Sequence, residues 1–577
     1  VSHYTDITTY GYMDDLTFMG PRNQLQPLLA DICDSFPSIG LQVNPTKSNV
    51  LLALESEDHD QAKRDYDNVC NGIKVKDNQV AEEYGTMLLG TPIGSKEFIE
   101  AQLNKTMDAL IIEFNKVKVI RNSQHLWAFL HFVLKSKMNH LFRTLPPQAT
   151  KILAKRMQSY IFDTFKERFE IPTITEDLAK QLHANFGKGG FNIPVYEHVA
   201  IAGFLASILN SVAAITEDKN DIAQLLENNV PLTRCIYDAI KAFSNRSKQY
   251  DRTKNMDQKE LAKDFQAQFA QFPKQTQRAI LSKIRRVNGH YKAKKPPDTD
   301  HHGAAWHASA TTQYAGAGLS CVPTHDLHMG DEQFKIFVRL HLHQPLPGVP
   351  RNTRCTLCKS ECKIDVYGYH LLACKDGAFK KYRHNDYKYC TQSLARAADL
   401  NVIDEDRRLT QHPTSQVDNR ARMIIPDFTI TSTTSPECAY DVTVILPQTG
   451  PNANNIDIAE KKKNRKYAAA LAEKNVHFIP LVADVYGQLS KHTITYVKRM
   501  SKLIAEKKGG IASVIANYYF CKLSIIIQTG NANLILDKIN RLYYNKPNGP
   551  VSSSHVMRPR GEVRNDFNPL LHDAREN

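Results

Sequence analysis

Four residues constrain this chain more than any others: Cys355 and Cys358, with two residues between them, and His370 and Cys374, with three. A tetrahedral zinc site takes four such soft or borderline ligands. The two-residue gap lets both thiolates of one knuckle face the ion, and the His-x3-Cys pair lies one turn apart on one helical face. The eleven residues between the pairs suffice for a turn. With every position taken by protein, the site is closed and structural, stapling a segment too short to fold alone. Cys362 is a fifth candidate able to replace one of the four, and the alternative is a set of buried free thiols beside a core histidine. Eleven cysteines, an odd number with only this one cluster, argue against a disulfide framework and for a reducing, intracellular compartment.

Downstream, Met423 to Ile430 reads as a strand bearing Asp427, and Tyr440 to Leu446 as a second bearing Asp441, with Ser432 to Glu437 as the turn between. Antiparallel neighbours of this kind bring the two carboxylates together. A helix from about Asp457 to Lys474 carries Lys461, Lys462, Lys463, Lys466 and Tyr467, and a strand from Val476 to Val482 completes a β-β-α-β order. Phosphodiester hydrolysis requires a divalent ion held by carboxylates and a cation near the developing negative charge. Asp427 and Asp441 suit the first need, and Lys463 or Lys466 the second. The plain alternative is acids flanking a turn and lysines on a solvated helix face.

Near the start, Tyr12-Met13-Asp14-Asp15 lies between two apolar and Thr-rich runs, Ile7 to Met13 and Leu16 to Met19, which places Asp14 and Asp15 at the tip of a hairpin. Adjacent acids at a strand tip repel, and divalent cations that hold a triphosphate and activate a primer hydroxyl relieve that repulsion. A polar hairpin turn is the alternative. A two-metal polymerase needs a further aspartate on a preceding strand, and the dozen or so residues before the two acids are expected to leave no room for one.

At 577 residues the chain is expected to hold several domains. Its formal net charge of +14 is dispersed and favours a polyanionic partner, nucleic acid above all. No segment reads as an address or a membrane span: Ile511 to Ile527 is interrupted by Asn517, Lys522 and Ser524, so a buried helix is expected there. From Ala101 to about Ser244 the apolar spacing is helical, broken at Gly187 to Pro194. Residues 244–302 are polar and end in Lys292 to Pro297, which reads as a linker and a domain boundary; His301, His302 and His307 read there as a solvated cluster rather than a metal site.

Three N-terminal segments, the Asp14-Asp15 hairpin, Ile39 to Lys47 and Leu88 to Gly94, resemble in order and spacing the last three palm motifs of reverse transcriptases of non-LTR retrotransposons. Leu126 to Pro147 resembles the thumb of that family. The Asp427 and Asp441 strands look like a restriction-like nuclease core, with one departure: Thr443 occupies the place of the usual lysine. In the endonucleases of site-specific elements the following helix supplies that lysine, and Lys463, Lys466 and Tyr467 resemble this variant; Arg383-His384 also fits the family's pattern.

The resemblance implies an α+β multidomain chain. Residues 1–97 would be part of a palm, 98–243 a helical thumb and connection, and 244–350 a basic helical segment and linker. Residues 351–376 would be a zinc knuckle, 377–505 a restriction-like endonuclease, and 506–577 a helical segment and basic tail. It assigns polymerase catalysis to Asp14 and Asp15, nucleotide or primer contacts to Lys47, Leu89 and Gly90, and nuclease catalysis to Asp427, Asp441, Lys463, Lys466 and Tyr467. Nucleic-acid contacts fall to Arg383 and His384, structural Zn²⁺ to the knuckle, and catalytic Mg²⁺ to the acids. The implied partners are duplex target DNA, the element's RNA template, and a longer or second copy supplying the rest of the palm. No membrane is among them, and a nuclear location follows from action on chromosomal DNA. Two readings compete: a catalytically inactive nucleic-acid-binding remnant, and a stand-alone nuclease of resolvase type.

Overall fold

The computed structural model describes residues 4–53, 59–215, 231–247, 253, 255–270, 276–287, 293–297, 299–349, 353–358, 362–376, 379–409, 425–431, 436–447 and 455–543. It is of the α+β class, and the chain gathers into two compact units, each discontinuous in sequence.

The first unit comprises Val1–Lys116, Lys137–Tyr160 and Val195–Val287. Its described strands are short and make three separate ladders rather than one sheet. β1 (Thr8–Tyr12) and β2 (Asp15–Met19) form an antiparallel hairpin. β3 (Asn49–Leu52) and β4 (Lys74–Asp77) run parallel, and the helix His59–Val69 makes the crossover that parallel pairing demands. That helix buries Ala62 and Tyr66 against Leu52, Cys70 and Ile73. β5 (Gly85–Leu88) and β6 (Thr91–Gly94) form a second hairpin. Its two-residue tip, Leu89 and Gly90, has positive φ at both positions, the geometry that matches strand twist but strains a leucine. Helices dominate the rest: Phe243 packs edge-on against Phe265 and Phe269 in a core shared with Phe204, Leu205 and Ile240.

The second unit comprises Val117–Ser136, Ile161–Pro194 and Asn288–Asn577. Its sheet holds β7 (Asn401–Asp404), β8 (Phe428–Thr431), β9 (Cys438–Ile445) and β10 (His477–Asp484) in the order β10-β9-β8-β7. β9 and β10 are parallel over eight residue pairs, joined through the crossover helix Asn455–Ala472; the other pairings are antiparallel. Side chains alternate across a strand. Ala439 therefore packs with Tyr467 and Leu471 of the crossover helix, while Tyr440 packs with Phe428 and with Tyr496 of the helix Lys491–Lys508. Asp441, two residues beyond Ala439, shares the crossover-helix face.

Two helices complete the frame. Phe379–Ala397 leads into β7, and the C-terminal helix Ala512–Tyr543 runs 32 residues, burying Ala532, Ile535 and Ile539 against the cysteine cluster's core. Of the apolar stretch at Ile511 to Ile527, where a buried helix is expected, Ile515, Phe520, Leu523, Ile525 and Ile527 are buried in this helix, while Ile511 precedes it and is exposed. No helix among the described residues is long and apolar enough to cross a membrane.

The histidines read as part of a solvated linker lie on a helix, although His301 and His302 are exposed on it as expected. His301–Ala310 is a helix capped by Asp300, whose side chain accepts from the Gly303 amide at 2.8 Å, and Trp306 is buried in it. His307 Nε2 lies 2.9 Å from the Ala293 carbonyl, and the His302 ring lies on Tyr369. Burial of one tryptophan outweighs the local polarity that suggested a linker.

Candidate metal centre and acidic strand site

The knuckle is built from main chain outward. Arg354 and Lys363 bridge in antiparallel fashion, with the Cys355 amide donating to the Cys362 carbonyl at 2.9 Å and the Ile364 amide to Thr353 at 2.8 Å. This pairing lies beside Cys355 and Cys358. Asp365 then caps the short helix Tyr369–Ala373: its carboxylate accepts from the amides of Tyr367, Tyr369 and His370 at 3.0, 2.9 and 2.7 Å. That helix and its end carry His370 and Cys374.

The four ligand atoms lie within 4.8 Å of one another. Cys355 Sγ is 3.9 Å from Cys374 Sγ, and Cys358 Sγ is 3.8 Å from His370 Nε2. A tetrahedron with Zn–S bonds of about 2.3 Å has edges of about 3.8 Å. The arrangement can hold a metal ion such as zinc. Burial pushes the Cys355 thiol up to about 11 and holds the His370 imidazole below its usual range. The histidine is thereby kept in its ligating neutral form, and metal capture must release thiol protons. Cys362 contributes only its carbonyl; its side chain is exposed and outside the cluster, which removes it as a ligand.

One partner of the knuckle gave no sequence signal beyond a lone lysine in an apolar helical run. Lys538 of the C-terminal helix is fully buried, and its ammonium donates to the carbonyls of Leu371 at 2.7 Å and Cys374 at 3.1 Å. Three thiolates around a dication would leave one net negative charge, which this ammonium would compensate.

In the sheet, Asp427 immediately precedes β8; of the strand expected over Met423 to Ile430, residues 423–424 lie outside the described residues. Its Oδ2 accepts from the Val442 amide at 2.7 Å, which fixes the carboxylate beside β9, and His384 Nε2 approaches its Oδ1 at 3.4 Å. Asp441 is buried on the crossover-helix face and ion-pairs with Lys463. Burial and the charge of Asp427 push the Asp441 carboxyl above its ordinary value, with Lys463 opposing them. A carboxylate whose proton affinity is raised by a neighbouring carboxylate is suited to share a cation with it.

The neighbouring lysine behaves differently. Lys466 Nζ donates to the Tyr467 hydroxyl at 2.7 Å and sits 4.4 Å from the centre of that ring; burial holds its ammonium below the usual range. Tyr467 is itself buried and donates to the Ile425 carbonyl at 3.3 Å. Its hydroxyl is thus occupied within the protein.

Arg383 requires a correction. Read as a nucleic-acid contact, it is 5 % exposed and its guanidinium bonds to Asn531 of the C-terminal helix. Gly530 allows this approach: a Cβ there would lie 2.6 Å from Arg383 Cγ. Burial holds the guanidinium down to about 10, and the residue ties two helices together. His384 faces Asp427 instead. Two residues on, Asp386 has its carboxyl pushed up to about 6 by burial, a feature without a sequence signal.

The N-terminal candidates are spread through the first unit. Asp14 lies in the tip of the β1-β2 hairpin and Asp15 opens β2; both are exposed, and among the described residues no third ligand side chain joins them. Lys47 is exposed, its amide donating to the carbonyl and side-chain oxygens of Asn44 at 3.1 and 3.3 Å. At the other hairpin, His140 Nε2 lies 3.0 Å from the Leu89 carbonyl and 3.1 Å from Thr91 Oγ1, so the Leu89-Gly90 tip is clasped by the helix Asn139–Thr144. In comparisons with known proteins, the sequence matches no family model and no curated protein.

Proposed function

We propose that this chain is a metal-dependent DNA endonuclease of the non-LTR retrotransposon type, joined to part of a reverse transcriptase and acting on chromosomal DNA in the nucleus. The observation that carries the reading is the placement of Asp427, immediately before β8, beside Asp441 of the antiparallel neighbour β9, with Lys463 reaching in from the crossover helix. Asp427 and Asp441 would hold a divalent cation such as Mg²⁺, which when bound polarises a phosphoryl oxygen and acidifies the attacking water. The Val442 amide and His384 orient Asp427, and Lys463 and Lys466 place positive charge where the phosphorane charge develops. The cysteine cluster staples the adjoining segment through zinc. The Asp14-Asp15 hairpin is read as a polymerase motif that needs another carboxylate from elsewhere to extend a primer on an RNA template.

Asp427→Asn tests the nuclease. It should abolish Mg²⁺-dependent nicking of duplex DNA and leave salt-sensitive binding nearly intact, because binding depends on dispersed Lys and Arg contacts. Undiminished nicking by this variant would move the activity elsewhere. A second reading, a binding protein without catalysis, draws on the near-complete burial of Asp441 under Lys463; binding without nicking across duplex and branched substrates would establish it.

A further inference from the structure

A ladder of three rings leads from the core of the second unit to its surface through the cysteine knuckle. Trp306 is 2 % exposed and stacks on His343, with centroids 4.8 Å apart and planes at 11°. His343 stacks in turn on Tyr367 at 4.3 Å and 20°. Tyr367 is 39 % exposed. With one face covered by the imidazole, its exposure falls on the opposite face and the ring edges.

The ring is held in place before any ligand arrives. The Tyr367 amide is bonded to Asp365, and the preceding carbonyl, of Val366, accepts from the Leu346 amide at 2.7 Å. Gly368 lies so close to Leu346 that a Cβ would come within 2.5 Å of it, and its φ of +80° is one that glycine adopts without strain. His343 itself sits at φ +52°, an unfavoured conformation for a non-glycine residue that the stack and its surroundings maintain. Tyr369, two residues away, provides the contrast: its hydroxyl donates to the Pro447 carbonyl at 2.6 Å and its ring lies on His302, so it is spent on packing.

We propose that the outer face of Tyr367 is a stacking platform for an unpaired nucleobase of single-stranded nucleic acid. Base–aromatic stacking tolerates any sequence because every base has a π-face, and a rigid ring loses little entropy on binding. The proposal rests on the reading that this chain acts on nucleic acid, and it assigns the knuckle a role besides stapling the fold.

The test uses the full chain, without added magnesium, and short single-stranded DNA and RNA oligonucleotides carrying 2-aminopurine, with a duplex of the same sequence as control. Stacking on Tyr367 should quench the 2-aminopurine emission. Tyr367→Phe should retain both quenching and affinity. Tyr367→Leu should lose the quenching and weaken single-strand binding about tenfold, with bound zinc and thermal midpoint unchanged. The DNA and RNA arms show which strand the platform prefers. Quenching and affinity within twofold of the parent in Tyr367→Leu would overturn the platform, as would binding by the parent chain to duplex alone. Failure of the parent chain to bind any of the three probes would overturn the proposed function as well.

Discussion

Lys538→Met removes one ammonium from the second unit while keeping most of its apolar stem. The two carbonyls it serves, on Leu371 and Cys374, lie under the C-terminal helix where water does not replace the lost donor. Each orphaned buried acceptor costs about 1–3 kcal/mol. Against this stands the relief of no longer burying an ammonium, whose proton affinity is already lowered by desolvation despite the nearby thiolates. A net loss of about 3 kcal/mol is expected. If the whole of it falls on the zinc-loaded knuckle, zinc should escape roughly a hundredfold faster. Zinc release to a chromogenic chelator, followed in the full chain beside its thermal midpoint, measures both quantities. The reasoning fails if Lys538→Met releases zinc within twofold of the parent rate at an unchanged midpoint. A midpoint that falls while zinc release stays the same would confine Lys538 to helix packing.

Three further expectations use other perturbations. Lys463→Ala should cost far more in nicking rate than Lys466→Ala, because Lys463 meets the Asp441 carboxylate while Lys466 is engaged by Tyr467; equal losses in single-turnover assays would contradict the assignment. Protein purified without chelator should carry close to one zinc per chain, and chelation should lower the thermal midpoint as the knuckle comes apart; elemental analysis finding no zinc would rule this out. Asp484 is buried with its carboxyl pushed up to about 6 from 3.8. A raised carboxyl favours the folded state at low pH, and that contribution is lost as pH rises through about 6, amounting to about 3 kcal/mol at most. Asp484→Asn keeps an acceptor for the amides of Tyr486 and Gln488, so its midpoint relative to the parent should rise between pH 4 and pH 7. Parallel curves for the two proteins would exclude this origin of pH dependence.

Local order around both sites was legible in residue order. Strands expected over Tyr440 to Leu446 and Val476 to Val482 lie at Cys438–Ile445 and His477–Asp484, and the helix expected from about Asp457 to Lys474 lies at Asn455–Ala472. Period-two alternation and helical spacing are properties of neighbouring residues, so they survive without any knowledge of the fold. The cysteine and histidine gaps belong to the same class, since ligand spacing is set by turn and helix geometry within twenty residues.

What lay beyond that range was the outcome of packing. Lys463 and Lys466 stand three apart on one helix, and only the rotation of that helix against β9 gives Lys463, and not Lys466, to Asp441. Arg383 has the side chain of a phosphate contact, yet its position over Gly530, 147 residues later in the chain, buries it. The C-terminal helix carried almost no functional signal, although its Lys538 and Asn531 supply donors to the knuckle and to the Val485 carbonyl just beyond β10. Residue types and short spacings determine which side chains are able to bind metal or phosphate. Which of them face the site is decided by burial across distant segments, because an ammonium or guanidinium removed from water must find its partners wherever the packed chain places them.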